Sequence, residues 1–246
     1  MKRSFAIALL VLQLSLLSTP VFSATEPPVS AAAIFNPNLI LRDEDVFSTH
    51  GWNAEAVHRF LVSRKSGLAT KRLPDLDGTT KRVADIIWRI AEENTISPRY
   101  LLALLQKEQS LVDHPNPSDR ALDWATGFGV CDSCSPDDPA LPPFKGFPTQ
   151  VTRAAKLLTE PYALQLAQSG QTISGYAVGK PVLVDGRVVV PENRATAMLY
   201  TYTPHIHGNY LLWMIWRKWF GTQFPDGTMV RTEQGSLYLI RGLEKR

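Results

Sequence analysis

The chain has 246 residues, 44% of them apolar and 20% charged, which is globular composition and excludes a disordered chain. The formal net charge is +3 and falls to +1, 24 basic against 23 acidic residues, once Lys2 and Arg3 are set aside with an N-terminal leader. Nucleic-acid binding driven by a basic surface is thereby excluded.

That leader spans residues 1–23. Lys2 and Arg3 precede an apolar run from Phe5 to Leu17, and Val21 and Ser23 fit cleavage after Ser23, the pattern of a secretory signal. The run is too short for a membrane span, and the rival reading is an uncleaved anchor. A second apolar stretch, residues 211–220, is shorter and holds Arg217 and Lys218. The mature protein is therefore expected to be secreted or periplasmic, with no transmembrane segment.

Residues 24–50, rich in Ala, Pro and Asn, read as an irregular lead-in, followed by a short helix over 52–61. Asp75-Leu76-Asp77-Gly78 is too poor a match for a calcium loop, because the first and twelfth ligand positions would be Leu73 and Ala84; it reads as a turn capping the next helix. Val83, Ile86, Ile87 and Ile90 recur at i, i+3, i+4, i+7 and predict a helix over 80–93. Ser97-Pro98, an N-cap with proline at the first helical position, opens another over 99–111. Residues 113–148, dense in Pro, Gly and Asp, predict a long structured loop of the functional kind. Within it Cys131 and Cys134, spaced C-x-x-C, are a disulfide candidate outside the cytoplasm; their loop surroundings disfavour a redox pair, and two thiols fall short of a zinc site. A helix is expected over 150–158, and a hairpin over 182–190 with Asp185-Gly186 as its turn. Helices over 191–200 and 209–220 follow, the second stopped by Gly221. Its Trp213, Trp216 and Phe220 read as core packing. Residues 222–246 read as a small β appendage, leaving 51–221 as the catalytic domain.

Glu108 is the residue on which a chemical reading turns. Its neighbours at −7, −4, −3, +3 and +4 are Leu101, Leu104, Leu105, Leu111 and Val112, all apolar. A carboxylate within such a stripe is expensive. Desolvation there is expected to raise its pKa, which is what a general acid needs near neutral pH. A buried ion pair, or a stripe that ends early, would account for the same spacing. Lys107, one place earlier, is expected to face solvent.

Four ordered stretches then carry a resemblance. Residues 97–110, Ser-Pro-Arg-Tyr-Leu-Leu-Ala-Leu-Leu-Gln-Lys-Glu-Gln-Ser, resemble the catalytic-helix region of lysozyme-like lytic transglycosylases, and more closely a group of secreted bacterial proteins with the pattern SP..LL..LQKEQ. That group also shows ATGYGVCD, GF..Q and ALY.YTP elements, and this chain has them at 125–132, 146–150 and 197–204. The resemblance implies a mainly α fold, a lysozyme-like helical domain of the goose-type or soluble lytic transglycosylase kind with a small β-hairpin and the short β-rich C-terminal appendage. It implies that Glu108 protonates the glycosidic oxygen between N-acetylmuramic acid and N-acetylglucosamine, then acts as base while the muramoyl C6 hydroxyl closes on C1. Gly127-Phe128-Gly129 matches the groove turn without its Gln, and Gln109 rather than Ser follows the acid. Tyr200 best matches the tyrosine near the acid, with Tyr202 the second candidate.

Trp124 and Phe128 are expected as subsite walls, and Gln150 with Tyr200 as partners for acetamido groups. Hydrolysis would need a second carboxylate, for which Asp123, Asp132, Asp113 and Asp119 are the loop candidates. His205-Ile206-His207 lacks a third ligand, so no metal or other cofactor is expected. The expected partner is the peptidoglycan glycan strand. The alternatives are a muramidase and a non-catalytic glycan-binding or scaffold protein of the cell envelope.

Overall fold

The computed structural model describes residues 35–129, 141–221, 229–231, 235, 237–241 and 244–245. Its architecture is mainly helical, and the helical periodicities explain why. In α3 (Val83–Glu93) Val83, Ile86, Ile87 and Ile90 lie on one buried face. In α4 (Pro98–Gln109) every residue from Tyr100 to Leu105 is buried, so this stretch of the helix is buried on every side and runs through the core rather than along it. Helices α1 (Asp43–Val46), α3 and α9 (Ile206–Phe220) pack around α4, while α2 (Ala54–Ser63) and α6 (Phe147–Leu157) pack on α3. Ser97 holds the N-cap position of α4, but its hydroxyl bonds no backbone N–H and is buried without a partner among the described residues.

Several expectations are corrected. The second half of the supposed irregular lead-in is part of the core: Ile40, Leu41 and Val46 are buried, and α1 forms there. The Asp75–Gly78 turn does not cap a helix. It closes an antiparallel hairpin of β1 (Arg72–Pro74) and β2 (Thr80–Arg82), and α3 starts directly after β2. The loop expected over 113–148 contains α5 (Asp119–Asp123), whose N-cap Ser118 accepts from the Ala121 N–H, and a 3₁₀ turn at Pro142–Phe144.

The helix expected to stop at residue 158 continues. A π-helical turn, Leu158–Tyr162, follows α6 and leads into α7 (Ala163–Ser169). Pro161 lies within that turn; its ring and missing N–H cannot be accommodated by an unbroken α ladder. Strands β3 (Val182–Val184) and β4 (Arg187–Val189) form the hairpin, with Asp185 and Gly186 at φ 48° and 78°, as a two-residue turn of this hand requires. Helix α8 (Arg194–Tyr202) begins later than its proline, capped by the Asn193 side chain. Trp216 of α9 is buried, with Trp213 and Phe220 half-buried against the core. Strands β5 (Met229–Arg231), β6 (Leu237–Arg241) and β7 (Glu244–Lys245) are antiparallel neighbours in that order. Among the described residues no helix is long and apolar enough to cross a membrane.

Candidate active site

The five apolar residues around Glu108 are all buried, yet they do not enclose it. Helix α4 ends at Gln109, and Ser110 turns the chain left-handed at φ 53°. Leu111 and Val112 thereby leave the helix for the core, held by Val112 and Asp113 N–H groups that donate to Gln106 Oε1. The Glu108 side chain keeps 24% of its surface exposed and lines a cleft of about 510 Å³, the size of a small-ligand site. The expectation of a carboxyl walled in by leucines is therefore corrected: the leucines sink α4 into the core, and its last turn emerges at the cleft.

Lys107 is not solvated. Its side chain is 8% exposed, and Nζ donates to Glu108 Oε1 at 2.8 Å and to Thr203 Oγ1 at 2.8 Å. It also lies 5.9 Å from the centroid of the Tyr202 ring.

A second part of the cleft is the turn Thr126–Gly129. Gly127 and Gly129 have φ of 67° and 78°, a region that other residues enter only at a cost. A Cβ on Gly129 would also come 2.7 Å from the Phe144 ring. Gln150 holds this turn. Its Oε1 accepts from the N–H groups of Thr126 and Phe128, and its Nε2 donates to the carbonyls of Phe128 and Phe144 at 2.8 and 2.7 Å. The side chain is fully buried. The expectation that Gln150 bonds substrate is corrected, because its amide is already spent on the turn that carries Phe128 into the cleft.

The third part comes from the π-helical turn and the end of α8, which supply Tyr162, Tyr202 and Thr203. The Tyr202 hydroxyl donates to the Thr126 carbonyl at 3.0 Å, tying this side to the glycine turn. Burial, reinforced by the Glu108 charge, pushes the Tyr202 phenol well above its ordinary range. Burial also raises the Tyr162 phenol, so both rings stay neutral at physiological pH. Beneath them Tyr100 is fully buried, its hydroxyl without a partner among the described residues.

Of the sequence-predicted residues, Glu108, Gly127, Phe128, Gly129 and Tyr202 line one cleft. Tyr200 does not. It is buried, donates to the Pro37 carbonyl at 3.0 Å and stacks on Tyr176, so its expected place beside the acid is corrected in favour of Tyr202. Trp124 is half-buried at the end of α5 and outside the cleft lining. Asp123 lies 3.2 Å from Lys145 and is also outside it. His205 pairs with Asp185 at the hairpin turn. Cys131, Asp132 and Cys134 lie outside the described residues. Sequence reasoning missed Tyr162 and the role of Lys107; the one signal for Tyr162 was an aromatic directly after Pro161 in a stretch that stays apolar at Leu157, Leu158 and Leu166.

A family model described as the LasA N-terminal domain matches residues 38–176. The chain belongs to the LasA N-terminal domain family. This overturns the expected membership in the lysozyme-like lytic transglycosylases. Three of the four stretches that suggested it, 97–110, 125–132 and 146–150, lie inside the LasA N-terminal match, and the fourth, 197–204, lies beyond it. No curated protein and no solved structure matches the chain. The LasA N-terminal domain description names no reaction.

Proposed function

We propose that the chain cleaves the peptidoglycan glycan strand between N-acetylmuramic acid and N-acetylglucosamine, with Glu108 as a single acid and base. The observation that carries this reading is a partly exposed carboxylate at the end of a core helix, facing a cleft made of a glycine turn and tyrosines. Aromatic faces beside backbone amides suit pyranose rings bearing acetamido groups. The positively charged, apolar leader directs the chain out of the cytoplasm, where that polymer lies. A lysozyme-like arrangement of the helices is the finer fold reading, and it rests on the same acid, turn and tyrosine.

In this cycle Glu108 gives its proton to the glycosidic oxygen as the bond to the muramoyl C1 breaks. The carboxylate then takes the proton of the muramoyl C6 hydroxyl as that oxygen closes on C1, leaving a 1,6-anhydro end. One carboxyl serves twice, and Glu108 is the single carboxylate among the described residues lining the cleft. Hydrolysis with inversion would need a second one about 6.5–9.5 Å away.

Purified sacculi incubated with wild type and with Glu108→Gln, followed by mass analysis of the muropeptides, test the proposal. Anhydro ends are expected from wild type, with turnover lower by about 10²–10⁴-fold in the variant. Reducing ends instead would assign a muramidase. No soluble product from wild type, with sacculi bound equally by both proteins, would assign a non-catalytic glycan-binding protein.

A further inference from the structure

We propose that Lys107 is the positioning residue of the site, fixing the Glu108 carboxylate so that one of its oxygens is reserved for the substrate; this rests on the reading of Glu108 as acid and base. Adjacent residues on a helix splay about 100° apart and do not ordinarily meet. Here they meet at 2.8 Å, and the ammonium is buried to do so. Burying a lysine head group is unfavourable unless its donors are matched, and the surroundings of Lys107 match them. Glu108 and Thr203 take two hydrogen bonds, and the Tyr202 ring faces the charge.

The anchor is itself built. The Thr203 carbonyl accepts from Asn209 Nδ2 at 2.7 Å, and its N–H donates to the Leu199 carbonyl. Gly208 makes room for it: a Cβ there would come 2.5 Å from Thr203 Cγ2 and 3.8 Å from Lys107 Cε. Helix α9 thus approaches α4 closely enough to close a socket around the lysine stem. The consequence falls on the acid. Oε1 of Glu108 is held by the ammonium, while Oε2 has no hydrogen bond among the described residues. Oε2 is the oxygen left to exchange a proton with a bound sugar.

The test is steady-state turnover of sacculi by Lys107→Met, Lys107→Arg and Thr203→Val. Thr203→Val removes one anchor without changing charge or volume and covers the case in which Lys107→Met fails to fold. A loss of alignment of about 1 Å costs on the order of 10²-fold. So kcat should fall by about that factor in Lys107→Met and several-fold in Thr203→Val, with KM unchanged within about twofold. Lys107→Arg should recover part of the loss. An unchanged kcat, or a rise in KM alone, overturns the proposal and makes Lys107 structural or substrate-binding. If wild type itself does not turn over, the cleavage reading has failed on its own. Crystal structures of wild type and Lys107→Met then decide: a carboxylate that keeps its rotamer without the ammonium overturns positioning, and one that moves or spreads supports it.

Discussion

Tyr200 and Tyr202 are two residues apart near the end of α8, and helical geometry turns them about 200° from one another. Only one of them can face the cleft. Tyr202 does so, bonded to the Thr126 carbonyl, while Tyr200 points into the core and bonds Pro37. Tyr200→Phe is expected to cost about 0.5–1.5 kcal/mol of stability through that lost bond, with kcat unchanged. Tyr202→Phe removes the hydrogen bond to the Thr126 carbonyl and loosens the glycine turn, so turnover should fall about tenfold through lost alignment. Thermal melts beside sacculus turnover check both, and the reverse pattern would exchange the assignments. Glu108 was legible because its five neighbours share one chemistry. Lys107 was not, because an i, i+1 contact violates the spacing rule by which side chains are paired on paper. Gln150 was half-legible: amides suit both clefts and buried turns, and the deciding fact, that Phe147, Val151 and Ala154 beside it are all buried, needs the helix first.

At the scale of elements, long periodic helices were readable and short or interrupted ones were not. Helix α7 escaped because Pro161 signals a stop, whereas the π-helical turn absorbs it. The β1–β2 hairpin escaped because Arg72-Leu73-Pro74 and Thr80-Lys81-Arg82 lack the β-branched run that marks the valine strands around Asp185-Gly186. Its turn shows what the Asp75–Gly78 stretch is for. Asp75 is 1% exposed at its side chain; Oδ1 and Oδ2 accept from Arg89, and Oδ2 also from Lys81, binding the hairpin to α3. Burial alone would raise its pKa, but the hydrogen bonds from Arg89 and Lys81 outweigh it and hold the carboxyl below its ordinary value. The folded state therefore binds this proton less readily than the unfolded chain. The stabilisation is complete above about pH 4 and drains away as pH falls through the lowered folded value. Asp75→Asn should be less stable at neutral pH by about 1.5–3 kcal/mol, the worth of charge-assisted bonds, and its stability should fall less steeply on acidification. Urea unfolding from about pH 7 to about pH 2 reads both; parallel curves for the two proteins would show that Asp75 does not carry the linkage.

Across the whole molecule, the feature least visible in sequence is the closure of the chain on itself. Residues 36–46 reach a segment about 150 positions later. The Val190 N–H donates to Asn38 Oδ1, the Ile40 N–H to Thr196 Oγ1, and Asn193 Nδ2 to the Leu41 carbonyl. Asp43 accepts from the Ala195 N–H and from Arg194. None of these pairings has a local signature, since each is polar and long-range. They place α8 against α1 and so fix the register of the helix that carries Tyr202. The cleft consequently depends on a stretch that sequence reasoning assigned outside the catalytic domain. Removing it should be severe, because truncation tolerance follows burial and hydrogen bonding rather than position in the chain. Ile40, Leu41 and Val46 are 2%, 3% and 0% exposed. At about 1.5–3 kcal/mol each, their loss approaches the roughly 5–15 kcal/mol that holds an ordinary domain folded. A fragment spanning residues 51–246 should therefore melt without cooperativity, or far below a fragment spanning 35–246, when both are followed by circular dichroism under the same conditions. Addition of a peptide spanning residues 35–50 should restore part of the transition. If the shorter fragment melts within a few degrees of the longer one, the clasp is an accessory, and the geometry around Glu108 must be set by α4 and α9 alone.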